Sequence, residues 1–562
     1  MALSMNRGGS WLTAVLILFW VAGAAAQSEG RIRGTNRHYR HGDWTTWSSM
    51  RHIRHLCLSQ ERLYLATTGG IGCFNFFSQQ WEDPHTVSSG LASADIGLVA
   101  WDENSGFLWC TQSEGISYLG PASGVWTNLF YDEIGFYDRE SVSSIGFGVN
   151  HQIYLVTSRG RSLAGHSSAG GFEWGATPRP EEEIKWFGEA AAVDPPPPHL
   201  FLPPGYYYDE QERVITDSHG RRYPLTCWLR DAWNTLWIGT WGLGAARVDL
   251  VSARFEALPY GLWDDAVDVL AFDQGALWAG GDQGQTGGGG LTRWEIGIRN
   301  PEYYEPRYIT GFSDDRITAM AFDEEAFWFG TRNGLTRYDL DRRSWRTLSQ
   351  VDHLSDPRIT HLYLDEEYLW VASEAGLSRI LKASAGRRDS LVVDIIDPRQ
   401  LGDLRISFLA PQGDTLWVGT EYGLYWYNVS ADSGEFYGDG FFPANQEIDA
   451  VVCYGDEVWF GTSYGIAGFN ARNGEWFAPP AQRLERLGRI YWMEVDGFSV
   501  WAAGERGVQR YDREGLRWIR YSMEDGLPAQ EIHTLRIDGD YVWFGSSRGL
   551  TLFYWNAPYR ID

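Results

Sequence analysis

The residues best suited to bind a ligand stand before a glycine in a turn that recurs along the chain. The glycine is kept in each copy of the turn, whereas the residues before it change among aromatic, charged and amide side chains. Aromatic faces beside hydrogen-bonding groups suit sugars, peptides and partner proteins equally. We therefore predict a binding face here, with an unconstrained loop surface as the alternative. The predicted ligand-binding residues are Trp241, Arg332, Asn333, Glu421, Tyr422, Tyr464, Arg506 and Arg548.

Patterns for catalysis and metal binding are weaker. The chain contains no H-E-x-x-H motif and no EF-hand loop. Four histidines near the start, His38, His41, His52 and His55, are irregularly spaced, so a polar segment is favoured over a metal site. Asp recurs just before one strand pattern, as at Asp365, which is typical of turn chemistry. Paired carboxylates for glycoside hydrolysis are an alternative without a preferred pair. We expect no catalytic residue, no metal and no cofactor.

The elements that position these turns belong to a repeat of about forty residues. Short alternating runs rich in β-branched and aromatic residues, bounded by Gly, Asp and Asn, predict four antiparallel strands in each unit. Most of the 29 tryptophans fall in the second or fourth strand of the unit, and we predict that they pack in the core. The most regular copies of the second strand read Leu-Trp-Val-Gly-Thr or a close variant, at residues 236–240, 327–331, 416–420, 458–462 and 542–546.

Four strands in about 42 residues make one β-propeller blade. The spacing indicates about twelve units. One of them is degenerate and lies between Tyr154 and Trp237, with Pro195 to Pro198 and a segment at 213–223 that resembles an outer hairpin. Because a ring usually holds four to eight blades, we predict an all-β fold of two tandem propellers. Six plus six blades is preferred, and seven plus five, or one ring nested inside the other, are the alternatives.

The two ends of the chain predict how the rings close. The last unit ends at Trp555 without a fourth strand, and residues 43–47 resemble that missing strand. In the six-plus-six arrangement, residues 44–47 close the first ring and residues 308–310 close the second. The predicted domains are a signal peptide at 1–26, a lead-in at 27–42, a first propeller at 43–303 with a Pro-rich insertion around 175–205, and a second propeller at 304–562.

Bulk properties indicate an exported protein. Arg7, an apolar run at residues 11–22 and the alanines at 24–26 predict a secretory signal peptide that is removed after Ala26. No later segment approaches twenty apolar residues, so we expect a soluble mature chain that does not span a membrane. A formal net charge of −26 argues against nucleic acid and anionic membranes as partners. The five cysteines show no C-x-x-C, and a bridge between Cys57 and Cys73 is considered.

The repeats LWVGTEYGLYWYN, FWFGTRNGLTRYDLDRRSW and VWFGTSYGIAGFNARNGEW, with the linking segment at 525–532, resemble the two-component regulator propeller repeat. The resemblance covers about residues 43–556. It implies a relative of the double-propeller sensor halves of bacterial hybrid two-component systems, which recognise oligosaccharides in the periplasm. Those sensors continue into immunoglobulin-like, membrane, kinase and DNA-binding segments that are not seen here, so we expect a stand-alone form. Similar stand-alone double propellers occur in secretion and cell-surface machinery, including the type IX system.

We expect an exported, non-enzymatic protein of the periplasm or cell surface that binds an oligosaccharide or a protein or peptide at the turn face of one propeller. The first alternative is a scaffold subunit of a cell-envelope or secretion assembly, and the second is a hydrolase or lyase with its site in a central channel. A binding protein should gather variable turns around one channel, whereas a scaffold should show an apolar patch on a flank. An enzyme should bring two carboxylates together in a channel.

Overall fold

The computed structural model describes residues 39–560, except for residues 41, 123, 168–170, 176–182, 193, 198–199, 274, 282–288, 296–300, 387–390, 398, 438–443, 478–486. The predicted signal peptide at 1–26 and most of the lead-in at 27–42 lie outside the described residues. So does part of the Pro-rich insertion.

The described chain folds into short antiparallel strands and five 3-10 helices, at Val87–Ser89, Val149–His151, Pro306–Tyr308, Gln350–Asp352 and Lys382–Ser384, and it contains no α-helix. No helix in this part of the chain has the length and apolar character needed to span a bilayer. The strands are β1 (Trp44–Trp47), β2 (Ile53–Leu58), β3 (Arg62–Thr67), β4 (Gly70–Asn75), β5 (Gln80–Trp81), β6 (Ile96–Trp101), β7 (Leu108–Gln112), β8 (Gly115–Leu119), β9 (Trp126–Phe130), β10 (Val142–Phe147), β11 (Gln152–Thr157), β12 (Ser162–His166), β13 (Phe172–Trp174), β14 (Lys185–Gly188), β15 (Tyr206–Asp209), β16 (Val214–Asp217), β17 (Arg222–Arg230), β18 (Thr235–Thr240), β19 (Ala245–Asp249), β20 (Arg254–Leu258), β21 (Val269–Asp273), β22 (Ala276–Gly280), β23 (Leu291–Glu295), β24 (Glu302–Tyr304), β25 (Ile317–Phe322), β26 (Ala326–Thr331), β27 (Gly334–Asp339), β28 (Ser344–Leu348), β29 (Ile359–Leu364), β30 (Tyr368–Ser373), β31 (Gly376–Leu381), β32 (Val393–Ile396), β33 (Ile406–Gln412), β34 (Thr415–Thr420), β35 (Gly423–Asn428), β36 (Ser433–Phe436), β37 (Ala450–Tyr454), β38 (Glu457–Thr462), β39 (Gly465–Asn470), β40 (Trp476–Phe477), β41 (Ile490–Val495), β42 (Ser499–Gly504), β43 (Gly507–Asp512), β44 (Arg517–Tyr521), β45 (Ile532–Asp538), β46 (Tyr541–Ser546) and β47 (Gly549–Tyr554).

The second strand of each unit is buried on both faces, which accounts for its continuous apolar run. Trp370 is almost fully enclosed and packs edge-on against Tyr427 of the next sheet, with ring centroids 5.9 Å apart. Trp278 makes similar contacts with the next sheet. The predicted packing role of the second-strand tryptophans is confirmed. In the fourth strand the pattern is mixed, because Trp126 is buried and Trp476 is partly exposed.

The recurrent Asp before the second strand organises a turn. The Asp365 carboxylate accepts hydrogen bonds from the backbone N–H of Tyr368 at 2.5 Å and from Trp370 Nε1 at 2.6 Å. Asp323 and Asp496 accept backbone N–H groups in the same way. The predicted turn chemistry is confirmed at Asp323 and Asp365, and Asp496 shows it as well, so these carboxylates have a structural role.

Seven of the eleven sheets in the described chain form a closed ring. Their inner strands β21, β25, β29, β33, β37, β41 and β45 follow one another in contact, and β45 returns to β21. The seventh sheet is completed by β1, which pairs with β47 in the register Trp44 to Phe553 and Trp47 to Leu550. The prediction that the chain start supplies the missing fourth strand of the last unit is confirmed. The edge of β47 is thereby covered.

The six-plus-six closure is wrong. β1 closes the ring of seven. Residues 308–310 contain the end of a 3-10 helix instead of a strand, because β24 already supplies the fourth strand of the preceding sheet. Between β1 and β21, strands β2 to β20 form the other four sheets, so one set of blades is nested inside the other along the chain. Because β21 lies between β45 and β25, we propose a boundary between β20 and β21 instead of after residue 303.

The first part of the chain holds four sheets of four to six strands, in which β2 lies between β6 and β17. The predicted degenerate unit is represented by three added strands in place of a sheet of its own. β14 pairs with β10, and the hairpin β15–β16 pairs with the start of β17. The hairpin predicted at 213–223 is formed, but it continues into an inner strand. Pro195 to Pro197 offer no N–H to a ladder, and Asp194 beside them accepts from Trp228 Nε1 at 3.0 Å.

All five cysteines are described and are free thiols, so the bridge considered between Cys57 and Cys73 is not formed. Both face Tyr64 across the strand ladder of the first sheet. Burial raises the pKa of Cys57 to about 12, which keeps this thiol protonated and unreactive.

Candidate functional site

The variable turns lie beside the starts of the inner strands in the ring of seven. The backbone N–H of Glu374 donates to the carbonyl of Arg358 at 2.9 Å, and that of Glu505 donates to the carbonyl of Arg489 at 3.1 Å. The N–H of Gly334 donates to Pro357 O in the connection to the next blade. Turns, blade connections and inner-strand starts therefore share one face, as the sequence predicts for a four-stranded blade.

One residue near the start of each inner strand is turned out of the strand ladder. In five inner strands the register shifts across this residue, which marks a β-bulge. In the other two blades, Asp268 and Asp449 precede the first ladder residue and donate their N–H to Gly280 and Gly461. We call these seven residues the girdle: Asp268, Thr318, Thr360, Ser407, Asp449, Tyr491 and His533.

The girdle residues connect each blade to the next one. Thr318 and Thr360 donate their hydroxyls to the carbonyls of Ile359 and Ile406, at 2.6 and 2.5 Å. Ser407 does the same to Ile448. The Tyr491 ring meets His533 edge-on at 5.5 Å. These contacts order the side chains at the centre of the ring before any ligand arrives.

Charged residues stand two positions before each girdle residue in six of the seven blades. Arg358 pairs with Asp356 at 2.9 Å. Arg489 reaches both Asp449, at 3.0 Å, and Glu447, at 3.4 Å. Arg405 also pairs with Glu447. We call this second set the rim charges: Arg316, Arg358, Arg405, Glu447, Arg489 and Glu531.

Five girdle residues and three rim arginines line a cavity of about 540 Å³ at the turn face of the ring. Its charged lining consists of four arginines and two carboxylates, whereas the whole chain carries a formal charge of −26. A positive cavity in an acidic protein concentrates the local field and favours a ligand with negative groups. The lining residues are Thr318, Arg332, Arg358, Ile359, Thr360, Glu374, Arg405, Ser407, Asp449, Arg489, Ile490 and Tyr491.

Asp449 has the most perturbed carboxylate of this cavity. Burial raises its pKa to about 6, although Arg489 beside it acts in the opposite direction. Its side chain is almost fully enclosed, whereas that of Arg489 is about half exposed. The desolvated carboxylate and the accessible guanidinium make this side of the cavity sensitive to pH and to ligand charge.

The structure places the predicted site residues in two regions. Arg332 lines the cavity, and Glu421 accepts the backbone N–H of Arg405 at 3.2 Å in the cavity wall. Tyr422 is 66% exposed and Tyr464 is 51% exposed, farther out on the same face. Trp241 lies in the turn between β18 and β19, in the first part of the chain, so it is not part of the ring of seven that holds the other predicted residues. The remaining predicted residues, Asn333, Arg506 and Arg548, occupy the corresponding turns of other blades in the ring.

No family model and no curated protein matches this sequence. Among solved structures, PorZ of Porphyromonas gingivalis, described as an essential bacterial surface component of the type-IX secretion system, matches with a TM-score of 0.59 and 14% identity. The match covers 91% of this chain and 87% of PorZ. The extracellular domain of the putative one component system BT4673 from B. thetaiotaomicron has a TM-score of 0.47 and 16% identity, over 91% of this chain and 76% of that domain. That of the putative hybrid two component system BT3049 scores 0.43 at 17% identity, over 92% and 76%. The likeness to PorZ shows that the overall fold is shared.

The girdle and the rim arginines were missed as site residues. Their sequence signal is a recurring triplet of a charged residue, Ile and a residue with a polar side-chain group, which recurs at intervals of 42 or 47 residues. The β-bulge cannot be recognised from the alternating pattern of the strand. A bulge adds one residue to the strand but needs no particular residue type. The triplets stand at 316–318, 358–360, 405–407, 447–449, 489–491 and 531–533.

Two of the turns also match the spacing G-x-S-x-G of hydrolase nucleophile elbows, at 461–465 and 545–549. In both, the serine lies in a tight turn between two antiparallel strands. A nucleophile elbow needs a strand that turns into a helix. The spacing here therefore comes from the propeller repeat.

His533 and Asp268 join the last blade of the ring to its first. Burial opposes protonation of His533, but the hydrogen bond and charge of Asp268, together with Glu531, outweigh it and raise its pKa. The stabilisation from this pair is fully present below about pH 6.5, the unfolded value, and is lost as the pH rises through the raised value. We expect His533→Gln to lower the melting temperature more at pH 6 than at pH 9.

The variant must be compared with the wild type at each pH, because buried His55, with a pKa lowered to about 4, contributes with the opposite sign in both proteins. Asp268→Asn should reproduce the effect, and the double variant should lose little more than either single one. An equal loss at both pH values would show that His533 acts only through packing.

Proposed function

We propose that this protein is an exported, non-enzymatic β-propeller that binds an oligosaccharide or a protein ligand at the turn face of its ring of seven blades. The observation that carries the proposal is the cavity of about 540 Å³, in which four arginines converge at the centre of a ring in a chain of net charge −26. Its size is within the range of small-ligand sites. The arginines favour ligand groups with negative charge, such as carboxylates or sulfates.

The rim arginines that line the cavity are held in position by carboxylates, and each still exposes part of its side chain to a ligand. The carboxylate of Asp356 accepts from Nε of Arg358 at 2.9 Å and from an Nη at 3.1 Å, yet more than half of the arginine side chain is exposed. Such a side chain loses little conformational entropy on binding. Tyr422 and Tyr464 add exposed aromatic faces farther out, and we propose that they contact the outer parts of a long ligand. We propose the same role for Asn333, Glu421, Arg506 and Arg548.

Export to the periplasm or cell surface belongs to the same proposal. It is supported by the signal peptide predicted at 1–26 and by a fold shared with a bacterial surface component. The relation to sensor propellers rests on the repeat motifs, and it favours an oligosaccharide as the ligand class.

A scaffold role is the second candidate, because an aromatic cluster is exposed on the first part of the chain. Phe76, Phe77 and Trp233 lie within 6.4 Å of one another, and the last two are more than 60% exposed. Exposed apolar clusters mark protein contacts in many proteins. A hydrolase is less favoured, because Glu447 and Asp449 are both held by Arg489 as charge partners.

The proposal is tested by thermal unfolding against neutral oligosaccharides, sulfated or carboxylated oligosaccharides, and acidic peptides. A ligand that binds the folded state at 100 times its dissociation constant adds about 2.7 kcal/mol, which is measurable as a shift in melting temperature. We expect a concentration-dependent rise with an acidic oligosaccharide. If no member of the panel shifts the melting temperature, the binding proposal is rejected in favour of the scaffold role.

A further inference from the structure

A second cleft, separate from the channel of the ring, lies where the two sets of blades meet. It has a volume of about 400 Å³. One wall comes from the first part of the chain, with Tyr223 and Trp241, and the other comes from residues next to the ring of seven, with Trp263 and Glu305. We call it the junction cleft. It contains Trp241, the one predicted site residue that lies apart from the others.

Arg51 is the unusual residue of this cleft. It is only 7% exposed, and its Cζ lies 3.6 Å from the centroid of the Trp263 ring and 5.8 Å from that of Tyr303. Among the described residues, no carboxylate lies within ion-pair distance of its guanidinium, which also donates no hydrogen bond to them. Burial lowers its pKa, as expected for a cation removed from water.

The other three arginines of the cleft are already paired. Arg221 binds Asp217 at 2.6 Å and also Glu305. Arg222 pairs with Glu212, and Arg307 pairs with Asp315. A buried guanidinium without a partner costs several kcal/mol. Among the described residues, Arg51 is therefore the one arginine of the cleft without an anionic partner.

The shape and chemistry of the cleft indicate which anion would fit. Trp241 is 40% exposed at the edge of the cleft, and its ring meets His52 at 4.9 Å. An exposed indole suits the apolar face of a sugar ring, while a guanidinium binds a carboxylate in two-point fashion. We propose that the junction cleft binds the carboxylate of an acidic sugar, with Arg51 as the anion-binding residue and Trp241 as the stacking residue.

The test uses isothermal titration with D-glucuronate, D-glucose and inorganic phosphate. We expect wild-type protein to bind glucuronate, to bind phosphate at least tenfold more weakly and to show no binding of glucose. Arg51→Met keeps an unbranched, flexible side chain but removes the charge and the hydrogen-bond donors. It should weaken glucuronate binding by about 10- to 100-fold, as expected for the loss of hydrogen bonds to a charged group. Trp241→Ala should weaken it at least tenfold.

Thermal unfolding distinguishes this role from a structural one. Because Arg51 contacts aromatic faces and has no ion pair within the described part of the chain, Arg51→Met should melt no lower than the wild type. Arg222→Met, which removes a paired arginine of the same cleft, is the matched control and should keep glucuronate binding within threefold. Phosphate binding as tight as glucuronate, no glucuronate binding, or a strong fall in melting temperature of Arg51→Met would each overturn the proposal.

Discussion

Replacing Trp44 by Ala is expected to open the ring of seven blades and to cost about 3–5 kcal/mol of folding stability. Trp44 is 4% exposed and stacks on Phe553 with ring centroids 3.8 Å apart. It also contacts Tyr521 of the neighbouring sheet at 6.0 Å. The substitution thus removes a large buried side chain from the strand that joins the two ends of the chain. Thermal and urea-induced unfolding of the purified protein measure the loss.

The matched control is Trp233→Ala, because Trp233 is 63% exposed and its loss should change stability by less than about 1 kcal/mol. A second contact between the two ends of the chain lies next to β1, where the buried side chains of Asp43 and Arg560 form an ion pair at 3.0 Å. Asp43→Ala should therefore destabilise the protein by several kcal/mol, since it removes the carboxylate that pairs with a buried arginine. If Trp44→Ala unfolded like Trp233→Ala, the closure of the ring by β1 would not contribute to its stability.

Replacing Arg332 and Arg358 together by Ala is expected to abolish detectable ligand binding at the channel cavity. Both line the cavity, and each charge-assisted hydrogen bond contributes about 1.5–3 kcal/mol. The combined loss corresponds to at least about a hundredfold in the dissociation constant. Melting without ligand should change little, because the side chain of Arg358 is more than half exposed. The measurement is titration with the panel member that raises the wild-type melting temperature most.

Arg472→Ala is the control for this pair. Arg472 carries the same charge in a turn between β39 and β40 and is 80% exposed, with Asp456 3.4 Å away. It should bind like the wild type, since its substitution changes the net charge without touching the cavity. Equal weakening by Arg472→Ala would mean that general charge attraction, and not the cavity, governs binding.

The sequence predicts the fold better than the site, for a physical reason. A strand reveals itself by alternation and a turn by Gly or Asp, so Trp370 in the core and Asp365 in its turn could be assigned from local residues alone. The partition into rings depends on which distant strands pair. The sequence allows β1 to close either the first ring or the last unit, and only its pairing with β47 shows that the smaller set of blades is nested.

The candidate site was predictable only in part, because its residues come from different blades and meet only in the folded chain. The variable turns lie on the face of the ring that holds the cavity, and Arg332 lines that cavity. The girdle depends on a β-bulge, which residue types do not reveal. Arg51 could not be recognised from the sequence because its contact residue Trp263 is 212 residues away along the chain. Contacts of this kind join blades that the repeat pattern treats as equivalent.

The measurement that tests the central claim most directly is hydrogen–deuterium exchange with and without the panel member that gives the largest melting shift. We predict protection concentrated in peptides that cover 316–318, 358–360, 405–407, 447–449 and 489–491, which form one side of the channel cavity. Peptides at the exposed cluster of Phe77 and Trp233 should exchange at unchanged rates. Protection confined to that cluster or to the junction cleft, with none at the five triplets, would contradict a ligand site at the turn face of the ring.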